Sequence, residues 1–264
     1  MACLVSACAA NPRPSIPDRV LTLNAHALRL HFANAPAAAD GIGQPLIVFA
    51  TGDGGMHRKD LATYRHLVAW GYPIVAFDAH DYVTHLGRST EATTPGRLAS
   101  DYGRIIDAAR QTLGMDRAHP VVLVGVSRGA GLSVVAAGAG ALRGEVAGVV
   151  AVALTQEEEY VQWYRRLAHE GAPRRVIVDV YEYLSRLEDL PLAVNQSTRD
   201  NYLPAAAARA LFGPDTAQRR LVSVDARNHS FGGARDRMYD ALRSALRWIA
   251  GPSALGPDTH QAKN

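Results

Sequence analysis

The sequence predicts an α/β domain in which a mostly parallel, doubly wound sheet is covered by helices on both faces. Three observations carry that prediction. Short, almost wholly apolar runs recur at Pro45–Ala50, Tyr72–Asp78, Val121–Val124 and Val146–Leu154. They are too apolar for strands with one solvated face and suit a parallel sheet buried on both sides. Between them lie segments whose apolar residues follow helical spacing, and such alternation defines this fold class. The residues with chemical potential fall just after these runs, where ligands bind in such sheets.

Taken in order, residues 1–18 stand outside the domain. Cys3 and Cys8 are the only cysteines, which leaves no disulfide framework or cysteine metal cluster in the folded body. Val5-Ser6-Ala7-Cys8 resembles the end of a bacterial lipoprotein signal, but the basic and fully apolar regions that precede such a cysteine are missing. The segment reads as a signal remnant or a disordered start. A periplasmic or membrane-anchored location is the expectation, with a cytoplasmic one left open. Arg19–Phe32 places two apolar runs around Asn24-Ala25, an edge hairpin. Pro45–Ala50 then runs into Thr51-Gly52-Asp53-Gly54-Gly55.

His57–Trp70 is helical in pattern, with Gly71 as its stop. Ala79–Pro95, holding His80, Asp81, Tyr82 and His85, reads as a loop at the pocket rim. No helix is expected to bring its two histidines onto one face, so no metal site is assigned. Leu98–Leu113 is an amphipathic helix with Arg104 and Arg110 directed to water. Thr155–Asp189 breaks the rhythm. It starts as a helix with acidic residues in its first turn and is rich in Tyr160, Trp163, Tyr164, Tyr181 and Tyr183, so a small helical cap is expected, with an ordinary crossover as the alternative. A strand at Leu190–Asn195, a helix at Pro204–Phe212, a strand at Arg220–Asp225 and a helix at Ala234–Ile249 complete the domain over 19–251. Residues 252–264 read as a polar, flexible tail.

Composition bounds the function. The chain has 264 residues, 48% hydrophobic and 20% charged, with net charge +3. That is ordinary for one enzyme-sized domain, and the dispersed excess of cations does not call for nucleic acid. No apolar run approaches the roughly 18 residues that span a bilayer, though association with a membrane surface remains compatible.

The chemistry concentrates at Gly125-Val126-Ser127-Arg128-Gly129, a G-x-S-x-G sequence between an apolar strand and a small-residue helix. In a nucleophile elbow the chain turns sharply at the serine, and a Cβ two residues to either side would collide with its surroundings. A plain glycine-rich turn is the competing reading. An activated serine needs a base, and the base needs an acid to orient it. His229, among ten histidines, is the one after the elbow that follows a core strand, whereas His169 falls in the expected cap and His260 in the tail. Asp200, after the preceding strand, is the expected acid. Capping the next helix is its competing role, and Asp225 is the rival carboxylate. The backbone N–H groups of Arg128 and Asp53 are the expected oxyanion donors. Gly52 and Gly54 would let that loop approach a substrate, with His80 and Tyr82 lining the site. A phosphate-binding loop is the rival for the glycines, but its Lys-Ser/Thr ending is absent.

These features make the fold that of an α/β hydrolase. The run Pro45–Gly55, then Gly71–Val75, Thr94-Pro95, Asp101 and the serine elbow, resembles the bacterial virulence protein family containing VirJ and the AcvB carboxyl-terminal domain. The likeness spans Pro45–Leu142. Met56 stands where that family usually carries an aromatic residue, and Val126 and Arg128 stand where it favours an aromatic pair. The resemblance implies an envelope compartment and aminoacyl-phospholipid or other lipid-like esters as substrates. It also implies a second possibility, a noncatalytic binding component of the kind linked to protein export. The residues themselves point to a carboxylic ester, a Ser127–His229–Asp200 triad and no cofactor, and the triad alone does not separate hydrolysis from peptidase or acyl-transfer chemistry.

Overall fold

The computed structural model describes residues 16–23, 26–34, 44–88, 94–160 and 176–251. In chain order it contains β1 (Arg19–Leu23), β2 (His26–Ala33), β3 (Leu46–Ala50), α1 (Arg58–Ala69), β4 (Ile74–Phe77), α2 (Ala79–Arg88), α3 (Pro95–Leu113), β5 (Val121–Val126) and α4 (Arg128–Gly138). There follow β6 (Val146–Val152), β7 (Glu157–Tyr160), β8 (Val176–Asp179), a 3-10 turn at Tyr181–Leu187, β9 (Leu192–Ser197), α5 (Ala205–Phe212), β10 (Arg219–Val224) and α6 (Arg235–Ala250). The expectations at Cys3, Cys8, Asn24-Ala25, His169 and residues 252–264 lie outside the described residues, as do Trp163 and Tyr164.

The main sheet has the order β1-β2-β4-β3-β5-β6-β9-β10. The β1–β2 hairpin is antiparallel and joins antiparallel to β4, while the remaining pairings are parallel. Alternation along each strand divides the core. Leu46, Val48 and Ala50 pack with Leu98, Tyr102 and Ile105 of α3, whereas Ile47 and Phe49 face the cluster containing Leu67 of α1 and Leu242 of α6. Burial on both faces is the reason β3 and β5 carry almost no polar side chain.

Local signals explain several boundaries. Thr94 Oγ1 accepts a hydrogen bond from the Arg97 N–H at 3.2 Å, Pro95 opens α3, and Gly114 ends it at φ 67°. Three expectations are corrected. Ala79–Pro95 is not a loop, because α2 occupies Ala79–Arg88. Its start is pinned by the Asp78 carboxylate, which accepts the Asp81 N–H at 3.0 Å, and by Thr51 Oγ1, which accepts the Ala79 N–H at 3.0 Å. Arg110 does not face water but is buried, donating to Glu145 at 2.5 Å and to the carbonyls of Arg117 and His119. A buried guanidinium is tolerable here because both of its terminal nitrogens are engaged, although Nε is not hydrogen-bonded.

The helical start expected at Thr155 is instead strand β7, paired antiparallel with β8 from Glu157↔Asp179 to Tyr160↔Val176. The acidic run alternates rather than winding. Glu158 turns inward to Thr155 Oγ1 and Arg128 while Glu157 stays exposed. The described part of the expected cap is therefore this two-stranded ribbon followed by the 3-10 turn, and the rest, 161–175, lies outside the described residues.

The glycines of the elbow are fixed by contact with backbone. A Cβ on Gly125 would overlap the Gly129 carbonyl, and one on Gly129 would overlap the Ala50 carbonyl. At Gly148 the obstacle is only the Ile249 side chain, which can rotate away. Gly129→Ala should therefore lose about 3 kcal/mol of stability, and Gly148→Ala about 1 kcal/mol or less, in urea denaturation. Equal losses would refute the backbone-contact argument.

Candidate active site

Strand β5 delivers Ser127 to the carboxyl edge of the sheet, and α4 begins at the next residue. Ser127 has φ 50° and ψ −116°, a left-handed-side conformation that costs a non-glycine residue about 1–3 kcal/mol. The turn is held where it forms. The Ser127 N–H donates to the Val152 carbonyl at 2.8 Å, and the Ser127 carbonyl accepts from the Ala130 and Gly131 N–H groups at 2.8 and 3.2 Å.

His229 reaches the serine from the loop between β10 and α6. Asn228 shapes that loop by accepting the Ser230 and Gly232 N–H groups on its side-chain oxygen at 3.1 and 3.0 Å. His229 Nε2 lies 2.8 Å from Ser127 Oγ, and His229 Nδ1 lies 2.7 Å from Asp200 Oδ2. With Nδ1–H donating to the carboxylate, Nε2 carries the lone pair that faces the hydroxyl. Asp200 is buried after β9 and is oriented by donors from every side: the Tyr202 N–H at 2.8 Å, the Leu203 N–H at 3.3 Å and Gln196 Nε2 at 3.2 Å. It does not cap α5, whose first turn receives no side-chain bond. Asp225 points away, exposed and paired with Arg199 at 3.0 Å.

The opposite wall is the loop Thr51–Gly55. The Gly52 N–H donates to Asp60 Oδ2 at 2.8 Å and the Met56 N–H to Asp78 Oδ2 at 3.1 Å. Gly55 sits at φ 65°, with no room for a Cβ beside the Asp78 carboxylate. Burial pushes the Asp60 carboxyl above its ordinary range, opposed by the Gly52 hydrogen bond. Arg128 is neither solvated nor merely packed against its helix. Its Nε and Nη2 both donate to the Asp53 carboxylate, and its Nη1 lies 3.6 Å from Glu158 Oε2. This fork ties the elbow to the glycine loop, so the two residues expected to supply oxyanion donors are joined through their side chains.

A cavity of about 580 Å³ opens over Ser127 and His229. Gly52, Asp53, Gly54, Arg128, Glu158 and Tyr202 line it, and the Tyr202 ring meets the His229 ring edge-on at 4.7 Å. Two expected lining residues do not. Tyr82 lies on the inward face of α2, packs on Phe77 and donates its hydroxyl to Asp101 Oδ2 at 2.9 Å. Burial, with the Asp101 carboxylate beside it, holds that phenol well above its ordinary pKa. His80 is exposed outside the cavity, its Nδ1 3.9 Å from Asp53 Oδ1. The sequence reading missed Asp60, Asp78, Glu158 and Tyr202. The position of Tyr202 two residues after Asp200 is the one available clue.

A mostly parallel sheet, an elbow serine at its edge and a histidine between that serine and a buried aspartate define the α/β-hydrolase class of fold. Solved structures agree on the fold. Est1E from Butyrivibrio proteoclasticus superposes with a TM-score of 0.61 at 14% identity, covering 89% of this chain and 99% of that one. An alpha-beta serine hydrolase homologue from Coxiella burnetii gives 0.59 at 16% identity, covering 88% and 98%. A soluble variant of monoglyceride lipase from Saccharomyces cerevisiae gives 0.59 at 12%, covering 90% and 96%. Within that class the chain belongs to the family described as bacterial virulence protein (VirJ), whose family model matches residues 44–177. A search of curated proteins found no matching sequence.

Glu158 offers a check on the site's electrostatics. Burial raises its pKa above the ordinary 4.5, opposed by the Thr155 hydroxyl and Arg128. A carboxyl whose folded pKa is raised stabilises the fold below its unfolded value, and that contribution is lost as pH rises through the folded value. Glu158→Gln, which does not titrate, should therefore gain on wild type in urea midpoint as pH rises above about 4.5. A pH-independent difference would mean that Arg128 offsets the burial.

Proposed function

We propose that this protein is a serine hydrolase that cleaves carboxylic esters through an acyl-enzyme. The observation that carries the reading is the unbroken relay from Ser127 Oγ through His229 to Asp200, at 2.8 and 2.7 Å. Ser127 Oγ attacks the ester carbonyl as His229 Nε2 takes its proton, and Asp200 holds the imidazole and stabilises its charged form. The oxyanion forms beside the backbone N–H groups of Arg128 and Asp53 at the start of α4, where the helix dipole favours negative charge. Collapse expels the alcohol, which takes the proton from His229. Water then attacks the acyl carbonyl, giving its proton to His229, and the carboxylic acid leaves as Ser127 regains its hydrogen. No cofactor enters these steps.

The lining supports a polar, lipid-like ester. Arg58, Lys59, Arg128 and Arg235 line the cavity together with Asp53, Asp60, Glu157 and Glu158. Cations suit a phosphate group and carboxylates suit an ammonium, so a lining of both signs supports an ester such as an aminoacyl-phospholipid, which carries both. The resemblance to the VirJ family implies the same substrate class and an envelope location. The noncatalytic alternative, a protein-binding component of the envelope, has no need of a serine–imidazole relay.

Incubation with a fluorophosphonate should add one phosphonyl group to wild type, by intact mass, and none to Ser127→Ala. Asp200→Asn should retain the fold and lose roughly 10³–10⁴-fold in kcat on a p-nitrophenyl ester. Folded wild type that resists the probe and turns over no ester would reject the hydrolase and favour the binding component.

A further inference from the structure

Away from the serine, three potential metal ligands meet where the edge hairpin touches α2. His26 opens β2, and Asp81 and His85 stand one turn apart on the same face of α2. One ligand atom from each lies within 4.8 Å of the other two. The two imidazoles stack, with ring centres 3.1 Å apart and planes 14° from parallel. The Asp81 carboxylate faces both, 3.6 Å from His26 Nε2 and 3.2 Å from His85 Nδ1. From this geometry we infer a binding site for a divalent transition metal ion of the zinc class, formed by His26, Asp81 and His85.

The chemistry of the set selects the ion. A neutral imidazole offers a lone pair to a metal ion. His85 Nδ1 lies 2.8 Å from the Asp81 carbonyl oxygen. If Nδ1–H kept its bond to that carbonyl, Nε2 would be the ligating nitrogen and the ring would have to turn to bring it toward the Asp81 carboxylate. Two imidazoles and one carboxylate suit zinc, cobalt, nickel or copper, whereas calcium and magnesium prefer all-oxygen shells. Tetrahedral zinc, with bonds of about 2.0–2.2 Å, holds its donors roughly 3.3 Å apart. Binding would require the two stacked rings to splay, so that an in-plane lone pair of each points at the ion. His26 is 11% exposed, against 43% for Asp81 and 28% for His85, so the buried side is protein and the fourth position faces solvent.

Such an ion would join two parts of the fold. It would tie the β1–β2 hairpin to α2, the helix whose first N–H is held by Thr51 and whose His80 stands beside Asp53. The ion therefore sits one helical turn from the glycine loop without touching the serine relay. Its role there is to stiffen, not to react.

Tag-free wild type, stripped with chelator and dialysed, should take up one equivalent of Zn²⁺ in a competition titration and gain thermal stability. With Co²⁺ it should show visible d–d absorption of a nitrogen–oxygen site. His26→Gln and His85→Gln should each weaken uptake by about tenfold or more and abolish the thermal gain, while reaction of Ser127 with the fluorophosphonate stays unchanged as the test of folding. Wild type that binds no Zn²⁺, or uptake that survives in both variants, would overturn the site. A variant that fails to label is read by the wild-type cobalt spectrum, whose absence overturns the site as well.

Discussion

The contact on which the molecule depends is between the Gly129 Cα and the carbonyl of Ala50, where helix α4 presses against the end of strand β3. Only a glycine lets the helix come that close, and only that closeness permits β5 to turn into α4 within one residue. Ser127 bears the strain of the turn in its positive φ. In exchange, its hydroxyl stands clear of the sheet at the start of a helix, where His229 can reach it. The same contact places Arg128 opposite Asp53, so the elbow and the glycine loop are two sides of one packing event.

Around that contact the polar groups act as fasteners. Asp60, Asp78 and Thr51 each use a side-chain oxygen to hold a backbone N–H of the glycine loop or of α2. Asp200 gathers two N–H groups and an amide before it reaches His229. A carboxylate held on several sides has no freedom to rotate, so the imidazole it orients has little either. The rigid sheet supplies position, and these buried oxygens supply aim.

Patterns that repeat within one element were legible in the sequence. The parallel core strands, the hairpin, α1, α3, α5 and α6 all follow from runs of apolar residues with their glycine and proline stops. The serine, histidine and aspartate were legible because each stands just after a core strand, in a loop whose location the fold dictates. Three features misled. Glu157–Glu159 reads as the acidic first turn of a helix, but strand pairing with β8 and the burial of Glu158 prevail over that local preference. Arg110 has a solvent-facing charge by helical periodicity alone, yet Glu145, remote in the chain, draws it inward. The segment after Asp78 lacks a strong periodic signal, and its helix is initiated by oxygens of Asp78 and Thr51 rather than by its own residues.

By itself, then, the sequence determined the layering of the sheet, the position of the elbow and which polar side chains follow the core strands at its carboxyl edge, because burial on two faces and a strained turn each demand a narrow set of side chains. Tertiary structure alone decided which partners those residues would meet. It joined Arg128 to Asp53 and Glu158, turned Tyr82 into the core, and brought His26 against Asp81 and His85. Such pairings depend on distances across the sheet between residues far apart in the chain, and local pattern carries no record of them.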